Sequence, residues 1–253
     1  MPLLNVNGRP LHYVETGGGG PPLVLVHGAG GSATVWVRQL EGLADATRVI
    51  ALDLPGHGAS PGDGHRLVAE YAAAVRDFVA GLRAGAPILC GHSMGGAITQ
   101  SVALMAPELL RGIVLLGTGA KLRVFPRLFE LMERDYGDGV AFVTEHAWSP
   151  ASPPSLKEGG RRAMLETRAP VTLGDFRGCD AFDVMARVGA IRLPTLVIVG
   201  EDDQLTPPKY AEFLAGNISG SQLVRIPGAG HYVQLEQPDE VNRAMREFLR
   251  TLP

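Results

Sequence analysis

The chain has 253 residues, 45% of them hydrophobic, and a formal net charge of −3. That profile fits one globular α/β unit with an insertion and leaves no broad basic surface for nucleic acid or an anionic membrane. No apolar run reaches the ~18–20 residues that span a bilayer, and two cysteines without metal-ligand spacing point away from a disulfide framework and a metal centre.

The first ten residues lack the basic start and apolar block of a secretory signal, so a cytoplasmic location is expected. Asn7-Gly8 between short apolar segments predicts a hairpin. A buried strand over 23–27 then runs into Gly28-Ala29-Gly30-Gly31-Ser32. A loop of such small residues lets a backbone N–H face a substrate oxygen directly. The N–H of Ala29, paired with that of Met94 at a helix start, is the expected oxyanion hole. A helix over 35–43, a strand over 48–53 and a helix over 66–82 follow. The turn Asp53-Leu54-Pro55-Gly56-His57-Gly58-Ala59-Ser60 closes the second of these strands, and Asp53 is read as stabilising it.

Pro87-Ile88-Leu89-Cys90 reads as a strand and Gly96 to Met105 as a helix. Between them stands Gly91-His92-Ser93-Met94-Gly95, of the form G-x-S-x-G. A serine at a tight strand-to-helix turn is held in a strained backbone with its hydroxyl clear of the sheet, and small neighbours let strand and helix approach. This makes hydrolysis by a serine nucleophile the leading expectation. A strand over 113–116 comes next.

From Ala120 to Ile191 the alternation stops. Leu122, Phe125, Leu128, Phe129, Leu131 and Met132 fall near helical spacing, and Ser149-Pro150-Ala151-Ser152-Pro153-Pro154 interrupts the helices. An insertion between two sheet strands is expected to form a cap. Alternation resumes with a strand over 193–199 ending in Gly200-Glu201-Asp202-Asp203, a helix over 208–215, and a strand over 222–226 leading to Gly228-Ala229-Gly230-His231. A last helix is expected over 238–250. The pattern predicts a mostly parallel sheet with helices on both faces and right-handed crossovers. The expected core is 1–119 with 192–253, and the expected cap is 120–191. Serine, acid and histidine each follow a strand, in the order Ser…Asp…His.

The motifs His27-Gly28-Ala29-Gly30, Asp53 to Ser60, Gly91 to Gly96, Gly200 to Asp203 and Gly228 to His231 together resemble the α/β-hydrolase superfamily. The likeness is greatest to small bacterial serine hydrolases and carboxylesterases with a helical cap. The resemblance implies an eight-stranded sheet and a triad on Ser93, Asp203 and His231. It selects Asp203 over Asp202 because the family's acid stands three residues after the strand-ending glycine. No cofactor is implied, and the expected partner is a small-molecule ester, with the protein a monomer or homodimer.

The insertion is crowded with Phe125, Phe129, Tyr136, Phe142, Trp148, Phe176 and Phe182, so an apolar pocket is expected. Phe125, Phe129, Trp148, Phe176, Leu205 and Tyr232 are the candidate substrate-binding residues. His27 and His57 are read as local hydrogen-bonding residues of their turns and His92 as a packing residue. His12, His65 and His146 are read as surface residues. Asp183 is read as a helix cap before Val184 and Glu236 as a local stabiliser; Cys90 is expected to be buried and inert.

Ester hydrolysis of small to medium apolar or aromatic compounds, through an acyl-enzyme, is the leading expectation. A lactone or carbon–carbon bond hydrolase remains a second reading, although relatives cleaving ring-fission products often carry Asn where His92 stands. A ligand-sensing signalling protein that retains the triad and turns over slowly is a third.

Overall fold

The computed structural model describes residues 2–252. Asn7 and Gly8, with φ of 51° and 81°, form the turn joining β1 (Leu3–Val6) to β2 (Arg9–Thr16). Both angles are positive, as a two-residue hairpin turn of this hand requires. The central strands β3 (Leu23–Val26), β4 (Val49–Leu52), β5 (Ile88–His92), β6 (Gly112–Leu116) and β7 (Thr195–Gly200) are buried along their whole length. They are the continuous apolar runs expected of strands covered on both faces. β8 (Gln222–Ile226) forms the edge. The sheet order is β1-β2-β4-β3-β5-β6-β7-β8. β2 runs antiparallel to both of its neighbours, and the remaining pairs are parallel.

Period-two alternation divides the strands between two cores. Val24, Val26, Leu89, Ile113 and Val197 face one side, with residues of α2 (Val68–Gly81) and α3 (Met94–Met105). Leu23, Leu25, Cys90, Val114 and Leu196 face the other. There they meet Leu40 of α1 (Val37–Gly42) and Val241, Met245 and Phe248 of the C-terminal helix.

Between β6 and β7 lie four helices: α4 (Pro126–Arg134), α5 (Tyr136–Ala147), α6 (Pro154–Glu166) and α7 (Ala169–Ala181). They form the helical cap. Its own core joins Leu128, Met132, Val140, Val143, Trp148 and Met164. After β7 come α8 (Pro208–Asn217), the four-residue α9 (Val233–Glu236) and α10 (Pro238–Thr251). Among the described residues no helix is long and apolar enough to cross a membrane.

Local expectations are corrected at the neck of the cap and at the histidines read as surface residues. The helical spacing from Leu122 does not give a helix before Pro126. Lys121 bridges Asp183, Leu122 N–H bonds to the carbonyl of Phe182, and Phe125 is extended at φ −62°, ψ 125°. A residue before proline is pushed out of the helical region. Asp183 is therefore part of the cap's neck. It pairs with Lys121 and accepts from the N–H of Met185, but caps a turn and no helix. His12 is buried, not on the surface, and its Nδ1 lies 2.7 Å from Asp53 Oδ2. His65 and His146 are partly buried.

Candidate active site

Parallel strands carry their carboxyl ends to one edge of the sheet, and the loops bearing Ala29, Ser93, Asp203 and His231 all leave from it. The loop carrying Ser93 is the tightest. Strand β5 and helix α3 meet so closely that a Cβ on Gly91 would lie 2.0 Å from the carbonyl oxygen of Gly95. One on Gly95 would lie 2.2 Å from the carbonyl oxygen of Val26. Ser93 itself sits at φ 56°, ψ −118°, a conformation that costs of order 1–3 kcal/mol for a residue with a side chain. Its N–H bonds to the carbonyl of Leu116, and its carbonyl accepts from Thr118 Oγ1 at 2.8 Å. The strained residue is thus held by the end of β6 and by the loop that follows it.

Asp203 and His231 lie together and are buried. His231 Nδ1 is 2.9 Å from Asp203 Oδ2. A carboxylate only accepts, so the proton is on Nδ1 and the Nε2 lone pair is left for other work. Asp203 is fully engaged. Its Oδ1 takes the N–H groups of Leu205 and Thr206 at 2.9 and 2.8 Å, and its Oδ2 also takes Thr206 Oγ1 at 2.8 Å. Asp202 points elsewhere and accepts from Ser149 Oγ at 2.6 Å. The two adjacent acids are therefore separated by partner.

The His231 loop is fastened by the cap and by α9. His231 N–H donates to the carbonyl of Ala147 at 2.7 Å. Glu236 accepts from Gly230 N–H, from Ser149 N–H and from Ser152 Oγ at 3.0, 2.8 and 2.5 Å. His92 Nε2 donates to the carbonyl of His231 at 2.9 Å. His92 is thus more than packing. It is fully buried, and that burial, followed by the nearby His231, holds its pKa well below the ordinary imidazole range.

The loop after β3 lies on the other side of Ser93, where a Cβ on Gly28 would come 3.0 Å from the serine Cβ. His27 Nε2 accepts from Leu54 N–H at 3.1 Å, so Nδ1 carries its proton and donates to the carbonyl of Gly28 at 2.8 Å. That carbonyl belongs to the same peptide as the N–H of Ala29. Burial, then the neighbouring His57, lowers the His27 pKa to about 4 and keeps the ring neutral. Among the described residues neither Ala29 N–H nor Met94 N–H has a hydrogen-bond acceptor within the protein. Met94 begins α3, and its side chain is buried in the core.

Ser93, Ala29, Thr206 and His231 line one cleft under the cap. Its remaining walls are mainly apolar, from Leu122, Phe125, Leu128, Phe142, Met164, Phe176, Leu205 and Tyr232. Four of the six candidate pocket residues, Phe125, Phe176, Leu205 and Tyr232, are on this wall. Phe129 and Trp148 are not. Phe129 is half-buried on α4 away from the cleft, and Trp148 stacks behind Tyr232 with ring centroids 4.7 Å apart. Helical spacing placed Phe129 and Leu128 on neighbouring faces, and Leu128 took the inner one. Cys179 is also on the wall, its thiol pushed up by burial.

Several residues at or beside the site carry little signal in the sequence, Met164 on the cleft wall among them. Thr206 stands three positions after Asp203, the offset at which a side chain and N–H close a turn on an acid. Phe142 was counted only among the crowded aromatics. Asp175, in mid-helix, gave no signal at all.

Residues 23–244 match the alpha/beta hydrolase family. The chain is similar to the dihydrolipoyllysine-residue acetyltransferase component of the acetoin cleaving system of Pseudomonas putida, at 33% identity over 97% of this chain and 68% of that protein. It is similar to (E)-2-((N-methylformamido)methylene)succinate hydrolase of Acinetobacter baylyi, at 30% identity over 98% of this chain and 97% of that one. Among solved structures, that of a thermophilic esterase superposes with a TM-score of 0.89 at 37% identity, covering 98% of this chain and 96% of that one.

Proposed function

Because this chain belongs to the alpha/beta hydrolase family and is a hydrolase, we propose that it cleaves carboxylic esters of small to medium apolar or aromatic compounds through an acyl-enzyme on Ser93. One observation carries this reading above the others. The buried Asp203–His231 pair, at 2.9 Å, opens onto the same apolar cleft as a strained serine.

In the proposed reaction His231 Nε2 takes the Ser93 proton as Oγ attacks the acyl carbon. The N–H groups of Ala29 and Met94 receive the developing oxyanion. Their value lies in being aimed before the charge appears. His231 then protonates the leaving alkoxide. Water, deprotonated by the same imidazole, attacks the acyl-enzyme and releases the acid and Ser93. Asp203 holds the Nδ1–H tautomer and stabilises the imidazolium formed in each half-reaction. The Ser93 proton leaves with the alcohol and is replaced by one from water, so ester and water become alcohol and acid and the enzyme is regenerated.

The apolar wall favours a substrate that carries few charges near the scissile bond. The similarity to a thermophilic esterase supports an ester. A lactone would undergo the same attack with the leaving group retained on the acyl chain. Purified protein assayed on acyl and aryl esters, lactones and diketones tests the choice. Preferential turnover of esters with apolar acyl groups is expected, at rates ordinary for an enzyme. Turnover confined to diketones, or none on any ester, would overturn it.

A further inference from the structure

Gly30 follows Ala29 and has φ +63°, a left-handed conformation natural to glycine. The cap grips it on both sides. Its N–H donates to Asp175 Oδ2 at 2.9 Å, and its carbonyl accepts from Thr167 Oγ1 at 3.0 Å. There is no slack between them. A Cβ on Gly30 would lie 2.9 Å from Thr172 Cγ2 and 3.2 Å from Met164 Cγ, both in the cap.

Asp175 is itself held from the sheet domain. It is fully buried on α7, and its Oδ1 accepts from Tyr71 Oη at 2.6 Å. Its Oδ2 lies 2.8 Å from His57 Nε2. The other ring nitrogen of His57, Nδ1, lies 3.1 Å from the carbonyl of Pro55. Both nitrogens face acceptors, an arrangement that favours the doubly protonated imidazolium. Burial opposes that charge, but the Asp175 carboxylate outweighs it and the His57 pKa stands above its ordinary value. A buried ion pair thus joins the cap to the turn after β4, and the same carboxylate oxygen reaches the loop after β3. Breaking one partner of such a pair is far more costly than never having built it. This favours one fixed seating of the cap.

We propose that Asp175 and Thr167 are positioning residues that clamp Gly30 from the cap, so that the N–H of Ala29 is aimed at the reacting carbonyl only while the cap is seated. This rests on the reading of Ala29 as an oxyanion donor. His27 and the Gly31 N–H fix the peptide before Ala29 from within the sheet domain, through the carbonyl of Gly28. Asp175 fixes the peptide after it. The hole is then completed by two parts of the molecule, and cap seating and transition-state stabilisation become one event.

The test compares an aryl ester with the matching thionoester, in which sulfur replaces the carbonyl oxygen. Backbone N–H groups bond a developing oxyanion much better than a sulfur anion, so an intact hole favours the oxygen ester. Thr167→Val keeps shape and charge. It is expected to lower kcat on the ester about ten-fold, a fraction of the ~100–1,000-fold cost of deleting an oxyanion donor outright. KM should stay within about two-fold, with the ester-to-thionoester ratio falling as kcat falls. Asp175→Asn should do the same to a larger extent. If Asp175→Asn does not fold, Thr167→Val decides alone. Folded variants whose activity drops equally on both substrates, with the ratio at its wild-type value, would overturn the proposal while leaving Ala29 in its role. A wild-type protein that shows no preference for the oxygen ester would overturn the role of Ala29 first, and the clamp with it.

Discussion

His92 Nε2 donates to the main-chain carbonyl of His231 at 2.9 Å, although the two residues are 139 positions apart. The bond ties the strand that delivers the candidate nucleophile to the loop that delivers the candidate base. The ring is packed edge-on to Trp36 and has no partner on Nδ1 among the described residues. It therefore acts as a neutral strut.

His92→Phe keeps a ring of similar shape and removes the bond. One lost hydrogen bond of about 1 kcal/mol that no longer sets the base loop should lower kcat roughly five-fold, with the circular dichroism spectrum unchanged. Unaltered kcat on esters would show that the loop is set by Glu236 and Ala147 alone.

Asp203→Asn and Asp202→Asn should differ sharply. The first offers an N–H to His231 and promotes the wrong imidazole tautomer, which costs roughly 10,000-fold in the serine-protease precedent. The second only weakens the bond to Ser149. Steady-state turnover of both variants decides it, and equal damage would undo the assignment of the acid.

Pocket-facing aromatics should set chain-length preference. Phe125→Ala and Phe176→Ala remove wall residues, and each methylene buried in such a cleft contributes ~0.8 kcal/mol. Preference across p-nitrophenyl esters should shift several-fold per carbon. Phe129→Ala should leave the profile at wild type, and Trp148→Ala should act only through Tyr232. A profile common to all four variants would place selectivity in the sheet-end loops.

Two neighbouring histidines, His27 and His57, with ring centroids 4.8 Å apart and planes tilted by 55°, have their pKa values shifted in opposite directions. His27 has its pKa lowered to about 4 by burial and by His57, so it destabilises the fold when protonated. Its share of stability is present above the unfolded value of about 6.5 and is lost as pH falls toward 4, roughly 3 kcal/mol in all. The His57 pKa is raised against burial by Asp175, so its share is full below about 6.5 and is lost as pH rises through the raised value. Urea midpoints should fall from pH 6.5 to 4.5, and less steeply in His27→Asn. An identical slope in the variant would contradict this account of His27.

The sheet was readable because its central strands are buried on both faces, and such strands print as unbroken apolar runs such as Leu23 to Val26 and Thr195 to Val199. The serine elbow was readable because backbone crowding leaves only glycine at Gly91 and Gly95. Spacing alone failed at the neck of the cap, where Pro126 and the Lys121–Asp183 bridge keep apolar residues extended. Four-residue α9 is too short to show a period. Asp175 was invisible because its partners Tyr71, His57 and Gly30 lie 104, 118 and 145 positions away. A polar network of that kind is created by tertiary packing and leaves no local pattern.

In the proposed reaction the acyl-enzyme forms on Ser93. The most direct measurement is intact-mass and peptide mapping after reaction with a fluorophosphonate, run beside turnover of p-nitrophenyl butyrate, for wild type and Ser93→Ala. One adduct per chain, on Ser93, with turnover lost in step with labelling, is the expected result. Ser93→Ala should fold normally, take no adduct and show no turnover above a trace. A folded Ser93→Ala protein that still hydrolyses the ester at a substantial fraction of the wild-type rate, or an adduct on a different residue, would contradict it.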